Sequence, residues 1–249
     1  MQTVLITGCS SGFGLETARL FLDRGWKVIA TLRTLRTDLL PASEQLRVLA
    51  LDITDPASIA HAIAEAGPID VLVNNAGFGA PVPVELTPLD TARALFDTNT
   101  LGTLAMTQAV LPQMRERGHG VIVNVTSTVT VKALPLVGVY SASKAAVNAF
   151  TESLAIEVAP LGVRVRLVLP GRSPTTRFGE NAFPHLGGVE HPAYGPLVQG
   201  VLASFRDSSG PVTTPQAVAE AVWRAVTDEN APMRIPGGDD AVEWMNAVG

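Results

Sequence analysis

The 249-residue chain has one cysteine, Cys9, so it closes no internal disulfide and builds no cysteine-based zinc site. A lone thiol suits a reducing compartment. The opening Met1-Gln2-Thr3-Val4-Leu5-Ile6 runs straight into a strand-like segment without a basic leader, so the expected location is cytoplasmic. Charged residues make up only 16% of the chain and the net charge is −5, which leaves no basic footprint for nucleic acid. No apolar run reaches the roughly 18 residues that would cross a bilayer. Repeats, linkers and low-complexity stretches are also lacking. What is present is a hydrophobic fraction of 47%, enough for a substantial core, and the reading is one domain over residues 1–249.

Tyrosine and lysine are scarce, with two and three copies. Yet Tyr140 stands one helical turn before Lys144 in Tyr140-Ser141-Ala142-Ser143-Lys144. Chance placement would give that spacing only about 2 times in 100. On a helix the two share a face. A cation roughly 4 Å from a phenolate, at an effective dielectric near 20, stabilises it by about 4 kcal/mol, or about three pKa units. That would bring Tyr140 toward the range where it exchanges a proton with a carbonyl or an alcohol. The bland alternative is an exposed helix face with an unrelated pair.

Short apolar runs alternate with longer helical stretches. Strands are expected at Thr3–Thr7, Lys27–Thr31, Arg47–Ala50, Ile69–Val73, Gly120–Val125, Arg164–Leu169 and Met233–Ile235. Helices are expected at Gly14–Arg24, Pro56–Ala66, Pro88–Arg117, Tyr140–Ala159 and Pro215–Thr227. Runs such as Val71-Leu72-Val73 are apolar throughout and suit a sheet covered on both faces. The alternation predicts an α/β fold: a doubly wound parallel sheet of about seven strands with helices on both faces.

Residues 170–210 break that rhythm. They are rich in Gly, Pro and His, with Phe178, Phe183, Leu186, Tyr194, Leu197, Val198, Val201, Leu202 and Phe205 interspersed. The segment reads as a substrate lid, or else as a packed surface excursion or an oligomer contact. His185 and His191 within it lack partners at metal-ligand spacing, and no metal site is expected. Arg172 and Arg177 meet either an anionic substrate group or water.

The first strand runs into Thr7-Gly8-Cys9-Ser10-Ser11-Gly12-Phe13-Gly14, after which a helix starts. Glycines there permit a tight turn and close approach to a pyrophosphate, and the helix N-terminus supplies unpaired N–H groups. The spacing Gly-x-x-x-Gly-x-Gly differs from the commoner Gly-x-Gly-x-x-Gly. With Asn74-Asn75-Ala76-Gly77, Asn99, Ser127, Tyr140-x-x-x-Lys144 and Pro170-Gly171 following in order, the chain resembles the short-chain dehydrogenase/reductase family. More narrowly, Val4–Gly12 and Ala30-Thr31-Leu32-Arg33 look like its 17β-hydroxysteroid and retinol dehydrogenase branch.

That resemblance implies an oxidoreductase with a Rossmann fold. Tyr140 would be the acid/base, Ser127 would hold the carbonyl or alcohol oxygen, and Lys144 would lower the phenol pKa and bind the nicotinamide ribose. Asn99 would help hold a water joining the lysine to solvent. Gly8, Ser10, Gly12, Phe13, Gly14, Asn75, Ala76, Gly77, Tyr140, Lys144, Pro170, Gly171, Ser173 and Thr175 would contact the dinucleotide. Asp52 and Ile53 would meet the adenine. Ser173-Pro174 departs from the family's usual apolar residue there. The second strand ends in Arg33 with no carboxylate before Asp38, which favours NADP(H) over NAD(H), because a guanidinium pairs with the 2′-phosphate. The expected substrate is a small hydrophobic ketone or aldehyde and its alcohol. A 3-oxoacyl thioester reductase and a non-catalytic dinucleotide sensor are the alternatives. Small residues along Pro88–Arg117 and Tyr140–Ala159, where relatives commonly pair, suggest a homodimer or homotetramer.

Overall fold

A computed structural model describes residues 1–206 and 210–247, with Phe205 and Arg206 described in backbone only. The strands are β1 (Thr3–Ile6), β2 (Lys27–Leu32), β3 (Leu46–Ala50), β4 (Val71–Asn74), β5 (Gly120–Val125), β6 (Val163–Leu169) and β7 (Arg234–Pro236). They pair in parallel in the order β3-β2-β1-β4-β5-β6-β7. The order reverses between β1 and β4, and a doubly wound sheet opens its ligand crevice at the carboxyl ends of the strands beside such a switch.

The strand composition follows from burial on both faces. Val4 and Ile6 of β1, Val71 and Val73 of β4, and Val121 and Val123 of β5 enter one core layer. Leu5, Leu72 and Ile122, which alternate with them, enter the other. The first layer is covered by α1 (Gly12–Asp23) and α8 (Pro215–Thr227), and Phe21, Trp26 and Trp223 meet edge to face with ring centroids 5.1–5.8 Å apart. The second layer is covered by α2 (Pro56–Ala66), α4 (Thr103–Arg117) and α5 (Gly138–Val158). Local chemistry starts these helices. Asp55 caps α2 by accepting from Ala57 N, Thr214 caps α8 by accepting from Ala217 N, and each is followed by proline at the first helical position.

Three departures from the sequence expectation matter for the site. The single helix expected at Pro88–Arg117 is α3 (Leu89–Phe96), a wide π-type turn at Asp97–Gly102, and then α4. The stretch at 170–210 is partly helical, with α6 (Phe178–Ala182), a 3₁₀ turn at Phe183–His185, and α7 (Gly195–Arg206). A C-terminal helix, α9 (Asp239–Asn246), has no counterpart in the expected elements. No described helix is long and apolar enough to cross a membrane.

Candidate active site

The carboxyl ends of the central strands enclose a cleft of about 630 Å³, within the range of small-molecule sites. One end is built on Thr7. Its hydroxyl accepts from Asn75 N and Ala76 N at 2.9 and 3.0 Å, and Asn75 Nδ2 donates to the carbonyls of Thr7 and Gly8 at 2.9 and 3.2 Å. The loop after β1 and the loop after β4 are thereby joined. A Cβ at Gly14 would fall 2.5 Å from Asn75 Nδ2 and from Gly8 O, so that glycine serves the join. Gly8, Ser10, Gly12 and Phe13 line the cleft itself, and Ser11 caps α1 without a side-chain bond. The first-turn N–H groups of α1 are left for a ligand.

Along the same wall, Arg33 leaves the end of β2, and Asp52 and Ile53 follow β3. Asp52 Oδ1 accepts from Thr54 N at 2.9 Å and Thr54 Oγ1 at 2.7 Å, and these bonds hold the carboxyl below its usual range. Arg33 acts on it electrostatically as well. Asp38, the first carboxylate after β2, is held by Arg36 through Nη2 at 2.8 Å and Nε at 3.3 Å.

At the inner end, Tyr140 and Lys144 lie on the buried face of α5 that also carries Ser143, Val147, Asn148 and Thr151. Both line the cleft and are 6 and 5% exposed. Lys144 Nζ donates to Val125 O at 3.1 Å. Ser127 caps a 3₁₀ turn at Thr128–Thr130, and a bond chain ties that turn to α5: Asn148 Nδ2 donates to Thr130 Oγ1 (2.9 Å), and Thr130 Oγ1 donates to Ser127 O (2.8 Å). The Tyr140-x-x-x-Lys144 spacing predicts that the lysine draws the phenol pKa downward. Desolvation wins instead. Burial pushes Tyr140 up to about 12, opposed by a side-chain hydrogen bond from Ser127, and burial pushes Lys144 down to about 8.

Asn99 lies in the π-type turn, fully buried. Its Oδ1 accepts from Phe78 N, and its Nδ2 donates to Phe78 O and Ser143 Oγ, all at 3.0 Å. The Asn99 side chain therefore bridges the loop after β4 to α5. A Cβ at Gly77 would fall 2.8 Å from Asn99 Oδ1 and 3.2 Å from Lys144 Nζ, so only glycine fits against this pair.

Of the expected dinucleotide contacts, Gly14, Pro170, Gly171, Ser173 and Thr175 fall outside the cleft lining, as do the expected catalytic residues Asn99 and Ser127. Thr175 is exposed, and its neighbour Thr176 takes the lining position, with its side chain 3.6 Å from where a Gly12 Cβ would lie. A Thr-Thr pair in an irregular loop carries no signal for which member turns inward. Thr126, Phe78 and Phe178 also line the cleft. Among the described residues, the buried hydroxyls of Thr126 and Ser173 have no hydrogen-bond partner. The glycine cradle, the open helix N-terminus and the Thr126 hydroxyl suit a dinucleotide.

This crevice and the order of its motifs define a class of protein. The chain belongs to the short-chain dehydrogenase/reductase family, whose model, described as short chain dehydrogenase, matches residues 2–185. It is an oxidoreductase of CH–OH groups, in a family whose fold binds nicotinamide dinucleotides. It is 34% identical over 241 residues to a 3-ketodihydrosphingosine reductase of Bacteroides thetaiotaomicron, covering 95% of this chain and 88% of that protein. It is 35% identical over 254 residues to bovine retinol dehydrogenase 8, covering 94 and 80%, in keeping with the hydroxysteroid and retinol-like branch. A short chain dehydrogenase from Burkholderia cenocepacia, solved in complex with NADP, superposes with a TM-score of 0.79 at 30% identity, over 99% of this chain and 94% of that one.

Proposed function

We propose that the protein interconverts a hydrophobic ketone or aldehyde and its alcohol, with NADP(H) as the preferred dinucleotide and Tyr140 as acid/base. The observation that carries this reading is the pair Tyr140 and Lys144, buried one turn apart at the inner end of the cleft, with Ser127 hydrogen-bonded to the phenol. In reduction, the Ser127 and Tyr140 hydroxyls donate to the carbonyl oxygen, and Tyr140 passes its proton to that oxygen as it becomes an alkoxide. Lys144, held by Val125 O, stabilises the phenolate left behind. When bound, the dinucleotide supplies or takes up the hydride. Asn99 keeps the loop after β4 in register with Tyr140 through Phe78 and Ser143.

Two features support NADP(H). Arg33 lines the adenosine end of the cleft, and Asp38 is spent on Arg36 rather than offered to a ribose. The expected substrate end carries aromatic rings beside Glu180, Asn181 and His185. Phe78 lies 5.0 Å from His185, and Phe178 stands 5.8 Å from the Tyr140 ring, in the manner of a lid carried by residues 170–210. The names of the two relatives, one a 3-keto reductase and one a retinol dehydrogenase, favour the same substrate class.

The test is oxidation of NADPH and NADH across aliphatic, aryl, steroid and retinoid carbonyl compounds, with Arg33→Ala in parallel. Turnover of a bulky apolar ketone with NADPH is expected, and Arg33→Ala should weaken NADPH by roughly ten-fold or more while sparing NADH. Equal effects on both dinucleotides would remove the phosphate contact from the account.

A further inference from the structure

Two neighbouring parallel strands end in loops that interlock. β6 runs into Pro170-Gly171-Arg172, β7 runs into Gly237-Gly238-Asp239-Asp240, and Gly237 N donates to Leu169 O at 2.9 Å. Neither loop has room for a side chain at its key glycine. A Cβ at Gly171 would fall 2.2 Å from Asp240 Oδ2, and one at Gly238 would fall 2.3 Å from Thr213 Oγ1.

At the centre of the interlock is the Asp240 carboxylate, in the first turn of α9 and only 4% exposed. Its Oδ2 accepts from Arg172 N at 2.6 Å, and its Oδ1 accepts from the Thr213 hydroxyl at 2.7 Å. Thr213 Oγ1 in turn accepts from Gly171 N at 2.9 Å, and Thr213 N donates to Arg172 O at 2.8 Å. The stretch that leaves the sheet after β6 and ends at the start of α8 is thus tied to one carboxylate at Gly171-Arg172 and again at Thr213. The helix carrying it has a second hold on the site. Lys132 Nζ lies 4.7 Å from the Trp244 ring of α9, just past the turn that Ser127 caps, and Thr128 N donates to Pro170 O at 2.9 Å.

Burying a carboxylate is costly unless it accepts short, charge-assisted bonds. Here those bonds go to the loop expected to meet the nicotinamide end of the dinucleotide. We propose that Asp240 is a positioning residue. From outside the cleft, it fixes the Pro170–Arg172 loop and closes the base of the 171–213 excursion, so the dinucleotide meets a preformed wall. The effect on binding rests on the oxidoreductase reading given above, whereas the effect on the loop does not.

The experiment compares Asp240→Ala and Thr213→Val with the wild type by three readouts: NADPH fluorescence titration, steady-state kinetics and amide hydrogen exchange. Loss of charge-assisted bonds should raise the NADPH Kd and KM by roughly ten-fold in Asp240→Ala, with kcat at saturation nearly unchanged. Exchange at Gly171, Arg172 and Thr213 should accelerate while β1 and β4 stay protected. Thr213→Val keeps the side-chain volume and should move the same readouts in the same direction. Asp240→Asn retains an acceptor for Arg172 N and should recover most of the affinity. Wild-type affinity and wild-type exchange at Gly171 and Arg172 in both variants would overturn the proposal. So would faster exchange spread evenly through β1 and β4, which would make the carboxylate a determinant of the whole fold. A wild-type protein that bound no dinucleotide would instead sink the oxidoreductase reading, and exchange at Gly171 and Arg172 would still decide the clamp.

Discussion

Lys144 is the group that sets the pH range of the proposed chemistry. Burial pushes its ammonium from 10.5 down to about 8, while the Tyr140 phenol is pushed up to about 12. In the reductive direction the phenol therefore carries its proton at every ordinary pH, and the lysine is the group that titrates. Above about 8, the phenolate formed in turnover loses its neighbouring cation. Ketone reduction, followed as kcat/KM with a non-ionising ketone, should fall as pH rises through that value. A flat profile to about pH 10, where a free lysine still holds its proton, would contradict this. Stability carries the same signature with a definite sign. The unfolded chain keeps the lysine proton up to 10.5, while the folded chain releases it near 8. Between those values the unfolded state binds more protons, so unfolding free energy rises with pH, by about 3 kcal/mol at the upper limit. Denaturant titrations of Lys144→Met should lack that rise.

At the scale of elements, two of them meet over the phenol. Phe178 begins α6, and its Cζ lies 2.8 Å from where a Cβ at Gly79 would stand. Gly79→Ala should therefore drive the ring out of its seat and widen the chamber beside Tyr140. The kcat/KM ratio of a bulky aryl ketone to a small aliphatic one should rise several-fold, as it should in Phe178→Ala. An unchanged ratio in both variants would remove Phe178 from the substrate wall. How far such elements were legible beforehand follows from where their causes lie. The strands were plain because both faces are buried, which makes their residues apolar throughout. The π-type turn at Asp97–Gly102 was not. It is held by long-range bonds, from Asn99 to Phe78 and Ser143 and from Thr100 Oγ1 to Ser143 O at 2.9 Å, and these leave no local pattern. Helix α9 leaves little signal in the sequence because Asp239-Asp240 reads as surface charge, although Asp240 is buried against Gly171. Helical spacing shows that Tyr140 and Lys144 share a face, not how dry that face is, and burial outweighs the lysine's pull on the phenol.

Across the whole molecule, the site depends on the strand order more than on any one motif. Reversal of the sheet between β1 and β4 opens the crevice, and the loops after β1 and β4 are joined through Thr7. β2 and β3 deliver Arg33 and Asp52, β5 leads to Ser127, and α5 lays Tyr140 and Lys144 along the inner wall. Residues from 7 to 144 converge there because parallel strands all point their carboxyl ends the same way. The central claim is that this convergence exists to move a proton through Tyr140. The most direct measurement compares Tyr140→Phe with the wild type, by single-turnover ketone reduction at saturating NADPH alongside NADPH titration. The account predicts a loss of turnover of roughly a hundred-fold or more with dinucleotide affinity nearly unchanged. Turnover at the wild-type rate in that variant would contradict it.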